Sequence, residues 1–461
     1  MLLIKRFYTT EKFWVMKIVI AGAGDIGFHL AELLSYENQD IVLIDTNQEV
    51  LDYAATHLDV MTLRGDSSSI DVLGQAEASR ARLVLAVTTS EKNNLVTAIL
   101  AKKLGARQTI ARVNNQEYLA DSQRETFKEL GVDSLISPVL LAAEEIQRLI
   151  RESSFTDHFA FEDGKINLLG VTLDEYSPLV NQQLFDISDV DENVNLRPIA
   201  ILRGHRTIIP RGKTVLRQGD HVYFISKQGN LERLTNMLGK RKVDVKKVMI
   251  LGGTSLGLAT AKRLEQLYDI TVIEHDKECC KMLAEQLDNS LIINGDASNI
   301  DLLEEEGLNQ MDAFIALSNN SETNIIASLT AKNHGVYKTV AQVENKEYIH
   351  ISQNIGVDTL INKKLIAANN IFRFIRKGKV EAITSLHGVD AEVIEYIIHK
   401  NNQTTKKPLK DLHFPQTALI GGVIRGEEAL IPDGDFQLQL NDKVIVFALP
   451  EAIDRLEQLF H

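Results

Sequence analysis

Gly22, Gly24 and Gly27 stand in the string GAGDIG, directly after the apolar run KIVIA and at the head of IGFHLAELLSYE, whose apolar residues recur at helical spacing. Glycines so placed serve one kind of chemistry, the binding of a pyrophosphate. The first permits a tight turn, the second lets backbone approach the anion, and the third allows the helix to pack closely on the strand. Free N–H groups at the helix start then meet the negative charge. An acid follows where such a site needs one: Asp45 closes the apolar run IVLID 18 residues past the last glycine (45 − 27). That is near the ~20 residues expected for a carboxylate on the ribose hydroxyls. It favours NAD over NADP, whose 2′-phosphate an aspartate would repel.

Three further positions fall at the C-terminal ends of strand-like runs, where open α/β sheets bind ligands. Asp66, after DVMTLRG, is placed to face the adenine side. Thr88 and Thr89, after RLVLAV, can hydrogen-bond phosphate or the nicotinamide ribose. Arg112, in TIARV, can neutralise phosphate. A dehydrogenase would also need a proton donor beside the nicotinamide. Two Y-x-x-x-K strings exist, Tyr223 to Lys227 and Tyr396 to Lys400. Both fall in runs of period two, where the pair would stand ~13 Å apart rather than the ~6 Å of a helix. They read as strand-edge residues. The histidines form no H-x-x-H spacing, and no Walker lysine occurs. Nothing marks a catalytic centre.

The whole arrangement occurs twice. KIVIAGAGDIG (17–27) is matched by KVMILGGTSLG (247–257), with first glycines 230 positions apart (252 − 22). IVLIDTN faces TVIEHD, AVTTSEKNN faces ALSNNSETN, and TIARVNNQEY faces TVAQVENKEY. The second copy keeps Gly252, Gly253 and the acid, as Glu274. It carries Thr254 in place of the middle glycine, followed by Ser255 and Leu256, and Gln342 in place of Arg112. A Cβ therefore stands where backbone should approach pyrophosphate, and a cation is gone. The second site is either altered, taking NAD(H), ATP or ADP, or retained only for assembly.

Length and charge bound the rest. A chain of 461 residues has room for three or four domains. A net charge of −13 without a Lys/Arg block argues against nucleic acid or an anionic membrane as the main partner. No run approaches the ~18 consecutive apolar residues of a spanning helix, so any membrane role is peripheral. The only cysteines, Cys279 and Cys280, are adjacent; they suit no structural disulfide or metal pattern and are expected on or near a helix.

Strand and helix patterns alternate through each glycine-loop segment, which predicts α/β architecture with a doubly wound parallel sheet. Period-two runs between Gly, Asp and Pro turns follow each time, predicting a smaller strand-rich α+β domain. The expected order is A–B–A′–B′: an extension or mis-assigned start at 1–15, a Rossmann-like domain at 16–137, a crossover helix at 138–156, and a small domain at 157–240. A linker near 238–247 precedes the second Rossmann-like domain at 247–365, a crossover helix at 366–379 and a second small domain at 380–461.

MKIVIAGAGDIGFHLAELLS, IVLIDTN, AVTTSEKNNLVTAILAKKLGA, TIARV and GVDSLISP together resemble the TrkA family, the NAD-binding cytosolic regulatory subunits of bacterial Trk potassium-uptake systems. These are tandems of regulator-of-potassium-conductance (RCK) N- and C-type domains, and the resemblance runs from Met16 to the C-terminus. It implies a non-catalytic protein. NAD(H) would be held by Gly22, Ala23, Gly24, Asp25, Ile26 and Gly27, with Asp45, Thr88, Thr89 and Arg112 as further contacts. Gly252, Gly253, Thr254, Ser255, Leu256 and Glu274 would form the equivalent loop. The implied partner is a membrane-embedded Trk-type potassium pore subunit, on the cytoplasmic face of the inner membrane. Four chains would supply a ring of eight Rossmann domains. The alternatives are an RCK-type regulator of another cation channel or transporter, and a soluble NAD-dependent oxidoreductase.

Overall fold

The computed structural model describes residues 16–35, 39–153, 155–161, 164–185, 196–204, 206–229, 235–239, 243–296, 299–345, 356–376, 383–385 and 391–460. The expected extension at 1–15, part of the linker near 238–247 and the end of the second crossover helix lie outside them. The chain divides into two compact units, residues 1–138 and 139–461.

The first unit is a six-stranded parallel sheet: β1 (Lys17–Ala21), β2 (Asp40–Asp45), β3 (Met61–Arg64), β4 (Leu83–Ala86), β5 (Gln108–Arg112) and β6 (Ser134–Ile136), in the order β3-β2-β1-β4-β5-β6. Five helices connect them: α1 (Asp25–Ser35), α2 (Gln48–His57), α3 (Ile70–Gln75), α4 (Glu91–Leu104) and α5 (Asp121–Leu130). β1, β2 and β4 read as unbroken apolar runs because a sheet covered on both faces has no polar side, and their central residues are fully buried. The strand order reverses between β1 and β4. That is the topological switch point, and the GAGDIG loop leaves β1 beside it.

α6 (Pro138–Arg151) begins at the last residue of the first unit and otherwise belongs to the second; its proline stands at the first helical position, where a missing N–H costs nothing. Its apolar stripe, Ala142, Ala143, Ile146, Leu149 and Ile150, packs into the core of the second parallel sheet, against residues such as Val248, Ile250 and Ile315. A five-stranded antiparallel sheet follows: β7 (Asp157–Phe161), β8 (Ile166–Thr172), β9 (Leu196–Arg203), β10 (Arg206–Ile208) and β11 (His221–Lys227), ordered β10-β9-β11-β8-β7.

The second parallel sheet repeats the first strand for strand: β12 (Lys247–Leu251), β13 (Asp269–Glu274), β14 (Ser290–Asn294), β15 (Ala313–Ala316), β16 (Lys338–Gln342) and β17 (Thr359–Ile361), ordered β14-β13-β12-β15-β16-β17. Its helices are α7 (Ser255–Leu264), α8 (Lys277–Gln286), α9 (Ile300–Glu305), α10 (Ser321–Asn333) and α11 (Lys363–Arg376). α11 starts three residues before the expected 366, because Asn362 Oδ1 accepts from the N–H groups of Lys364 and Leu365 and fixes the N-terminus there. The closing sheet comprises β18 (Ile383–Ser385), β19 (Glu392–Ile397), β20 (Ala418–Arg425), β21 (Glu428–Leu430) and β22 (Lys443–Ala448), ordered β18-β19-β22-β20-β21, with α12 (Gln403–Lys406) and α13 (Ile453–Phe460).

The two antiparallel sheets share one core, in which Ile166, Leu168, Tyr223 and Ile225 meet Val393, Ile424, Ile445 and Phe447. Tyr223 and Tyr396 are accordingly not edge residues, as their sequence had suggested. β11 and β19 are interior strands, and both rings are buried on a sheet face, Tyr223 in the core shared by the two small sheets and Tyr396 stacked on Phe460 of α13. Lys400 lies beyond the end of β19.

Candidate dinucleotide site and its second copy

Gly22 has φ +106°, and a Cβ built on it would lie 2.9 Å from the backbone nitrogen of Thr88. A Cβ on Gly27 would lie 1.7 Å from the carbonyl oxygen of Gly22. The fold itself therefore demands these two glycines. Gly24 differs: a Cβ there would meet nothing within 4 Å. The space in front of it is open, at the start of α1, where helix N–H groups and the positive end of the dipole face outward. Asp25 is exposed beside it, while Ala23 and Ile26 are buried.

Asp45 at the end of β2 is half-buried. Its Oδ2 accepts from Ala23 N at 2.7 Å and its Oδ1 from Asn47 N at 2.9 Å. The carboxylate thus pins the glycine loop, and each oxygen keeps a further lone pair for a ribose hydroxyl. Asp66 is exposed. Its Oδ1 accepts from the N–H and hydroxyl of Ser68 and from Asn93 Nδ2, bonds that hold its carboxyl below the usual range. Thr88 donates from both N–H and hydroxyl to Asn94 Oδ1, at 2.9 and 2.6 Å, whereas Thr89 is exposed.

Arg112 closes β5. Burial pushes its guanidinium pKa below the ordinary value, and its buried Nε has no hydrogen-bond partner among the described residues. It remains a cation at neutral pH. A half-buried charge with one buried donor unmet is costly in isolation, so the arrangement suits an incoming anion.

Asn94 was not singled out by sequence reasoning. It is 1 % exposed, and its Nδ2 donates to the carbonyls of Thr88 and Arg112, tying the end of β4 to the end of β5. The signal was its recurrence as Asn324, which makes the same bonds to Ser318 and Gln342.

The second copy preserves the fold of this site and changes its chemistry. Gly252 keeps φ +99°. A Cβ on Gly253 would strike Leu283, Cys279 and Glu274, whereas Ala23 occupies the equivalent place in the first copy. Glu274 is 7 % exposed; its Oε2 accepts from Gly253 N at 2.6 Å, and its Oε1 accepts from Asp276 N and lies 2.7 Å from His275 Nδ1. Thr254 caps α7, its hydroxyl accepting from Gly257 N and donating to the carbonyl of Leu317. Gln342 is buried and donates to Glu344, whose carboxylate is also paired with Lys363 and Lys364. Burial raises the Glu344 carboxyl, but the two lysines outweigh it and hold the group low.

Cys279 and Cys280 lie on α8 as free thiols. Their Sγ atoms approach the carbonyls of Gly253 and Glu274 at 3.3 Å each, and burial with the nearby Glu274 pushes both pKa values up. Gly253 to Gly257 also spell G-x-S-x-G, the lettering of a hydrolase nucleophile elbow. Ser255 is an ordinary first helical residue with no positive φ, so the strained turn of that motif is missing. Among the described residues no three His, Cys, Asp or Glu side chains are grouped to hold a metal, and no helix is long and apolar enough to cross a membrane.

Two doubly wound parallel sheets with glycine loops at their switch points, each followed by a small antiparallel sheet, define a tandem α/β protein of the nucleotide-binding type. The TrkA-N domain model matches residues 18–138 and 248–363, and the TrkA-C domain model matches residues 168–239 and 393–461. The chain belongs to the TrkA family. Trk system potassium uptake protein TrkA homolog of Archaeoglobus fulgidus is 35% identical over 448 residues, covering 96% of this chain and 100% of the relative. Trk system potassium uptake protein TrkA of Halomonas elongata is 34% identical over 450 residues, covering 96% and 98%. These relatives are named as potassium uptake proteins. The fold is also that of the GsuK RCK domain, with TM-score 0.59 at 16% identity over 97% of this chain and 95% of that one.

Proposed function

We propose that the chain is a nucleotide-binding regulatory subunit that sits on the cytoplasmic face of the inner membrane and gates a separate Trk-type potassium pore protein. The observation that carries this reading is the switch-point crevice of the first sheet, where open space at Gly24 adjoins a loop pinned by Asp45. Arg112, with an unmet donor, closes the next strand but one. NAD(H) fits it. Gly22, Ala23, Gly24, Asp25, Ile26 and Gly27 would carry the pyrophosphate, Asp45 the ribose, and Thr88, Thr89, Arg112 and Asp66 the remaining polar groups. The names of the TrkA relatives supply the potassium-uptake context.

In this reading the functional modules are 16–137, 157–240, 247–365 and 380–461, and four chains bring eight parallel-sheet domains into a ring under the pore. A ligand shifts such a ring only through unequal affinity for its two shapes, with α6 and α11 as the moving interfaces. The test is titration of the full chain with NADH, NAD⁺, ATP and ADP, together with potassium uptake by cells that depend on it. Gly24→Val fills the open space without touching the core. It is expected to weaken NADH binding by more than about 100-fold, the worth of two lost charged hydrogen bonds and enough to leave no site in the titration, and to abolish nucleotide control of uptake. Unchanged binding would remove the site assignment. NADH turnover with any substrate would instead favour an oxidoreductase.

A further inference from the structure

In the second parallel sheet the strand order reverses between β12 and β15, which is where a doubly wound sheet admits a dinucleotide. Thr254 spans that crevice. It stands on the loop leaving β12, and its hydroxyl donates at 2.9 Å to the carbonyl of Leu317, the residue after β15. The same oxygen accepts from Gly257 N at 3.2 Å, consuming a helix-start N–H that would otherwise meet an anion. The first copy has only open space at this point, since Gly24 carries no side chain.

Other changes act in the same direction. The loop is packed from below by Leu283 and Cys279, Glu274 is buried and carries a His275 contact at 2.7 Å beyond the two backbone bonds that Asp45 also accepts, and Gln342 replaces the cation and is held by Glu344. A pyrophosphate entering here would have to break both bonds of Thr254 and leave the Leu317 carbonyl unmet, with no charge gained in return.

We infer that Thr254 closes the second crevice to dinucleotides, so that each chain takes one, in its first domain; this rests on the reading of the first domain as the NAD site. The second domain is then the partner that buries α6 and not a second sensor.

Calorimetric titration of the full chain with NADH decides the matter. Wild type and Thr254→Ser, which keeps the hydroxyl, bind one NADH per chain. Thr254→Gly binds two, the second at least about 10-fold more weakly because no cation serves it. Gly24→Val binds none, and adding Thr254→Gly to it restores one. Two NADH in wild type, or one retained in Gly24→Val, would overturn the inference whether or not Thr254→Gly folds. So would a Thr254→Gly chain of wild-type melting temperature that binds no more than wild type. A wild type that binds none, with Thr254→Gly gaining one, supports the closure by Thr254 and sinks the first-domain reading alone.

Discussion

At the scale of single residues, the two copies show which glycines of the loop the fold demands and which it leaves free. Gly22 and Gly252 meet the backbone of Thr88 and Ser318, and Gly27 and Gly257 meet the carbonyls of Gly22 and Gly252, so neither pair tolerates a Cβ. The middle position is free to vary, and it does. Asp45 and Glu274 both anchor the loop through one backbone N–H, which explains why an acid persists in a copy whose crevice is closed. In the proposed site Arg112 belongs to the ligand side. Its exchange for glutamine, the residue of the second copy, is expected to cost about 10- to 100-fold in NADH affinity, as for a lost charge-assisted bond. Thermal stability should hold or rise slightly, because a half-buried cation with an unmet donor is removed. Calorimetry and a melting curve on the same variant check both halves of the statement, and unchanged affinity would exclude Arg112 from the site.

Among the elements, α6 is the one whose placement matters most. Its sequence says only that one face is apolar. Packing assigns that face to the second parallel sheet, with Ala142, Ala143 and Ile146 wholly buried there. The alanines let the helix approach the strands, and Ile146 supplies the bulk. Ile146→Ala leaves a cavity that the rigid sheet cannot close and is expected to destabilise residues 139–461 by about 2–4 kcal/mol. Chemical denaturation followed by circular dichroism reads this. A loss below about 0.5 kcal/mol, the level of ordinary surface substitutions, would mean that the helix is not held as described.

Across the whole second unit, the two small sheets pack against one another through one hydrophobic core. Gly422 on β20 marks the closeness of the approach, since a Cβ there would lie 2.7 Å from Ile166 and 3.5 Å from Ile225, both on the other sheet. Arg211 reinforces the contact by donating to the carbonyls of Gln416 and Ala418. Gly422→Val overpacks this core and is expected to cost about 1–3 kcal/mol, while NADH affinity stays within about twofold because the site lies in other domains. Denaturation and titration of the same variant separate the two effects.

The sequence alone determined the doubly wound sheets, their duplication, the glycine loops and the acid that follows each, because these depend on local periodicity and on residue types fixed by backbone geometry. It also exposed Thr254 and Gln342 as departures, since a repeat supplies its own reference. It did not reveal Asn94, whose role is a set of bonds tying the end of β4 to the end of β5. It placed Tyr223 and Tyr396 at edges, because a period of two says which face a side chain takes and nothing about how many neighbours a strand has. The tertiary structure alone decided that α6 serves the second sheet, that the two small sheets share a core, and that Thr254 reaches Leu317 across a crevice. Each of these joins residues more than 60 positions apart, where no local pattern in the chain can register the contact.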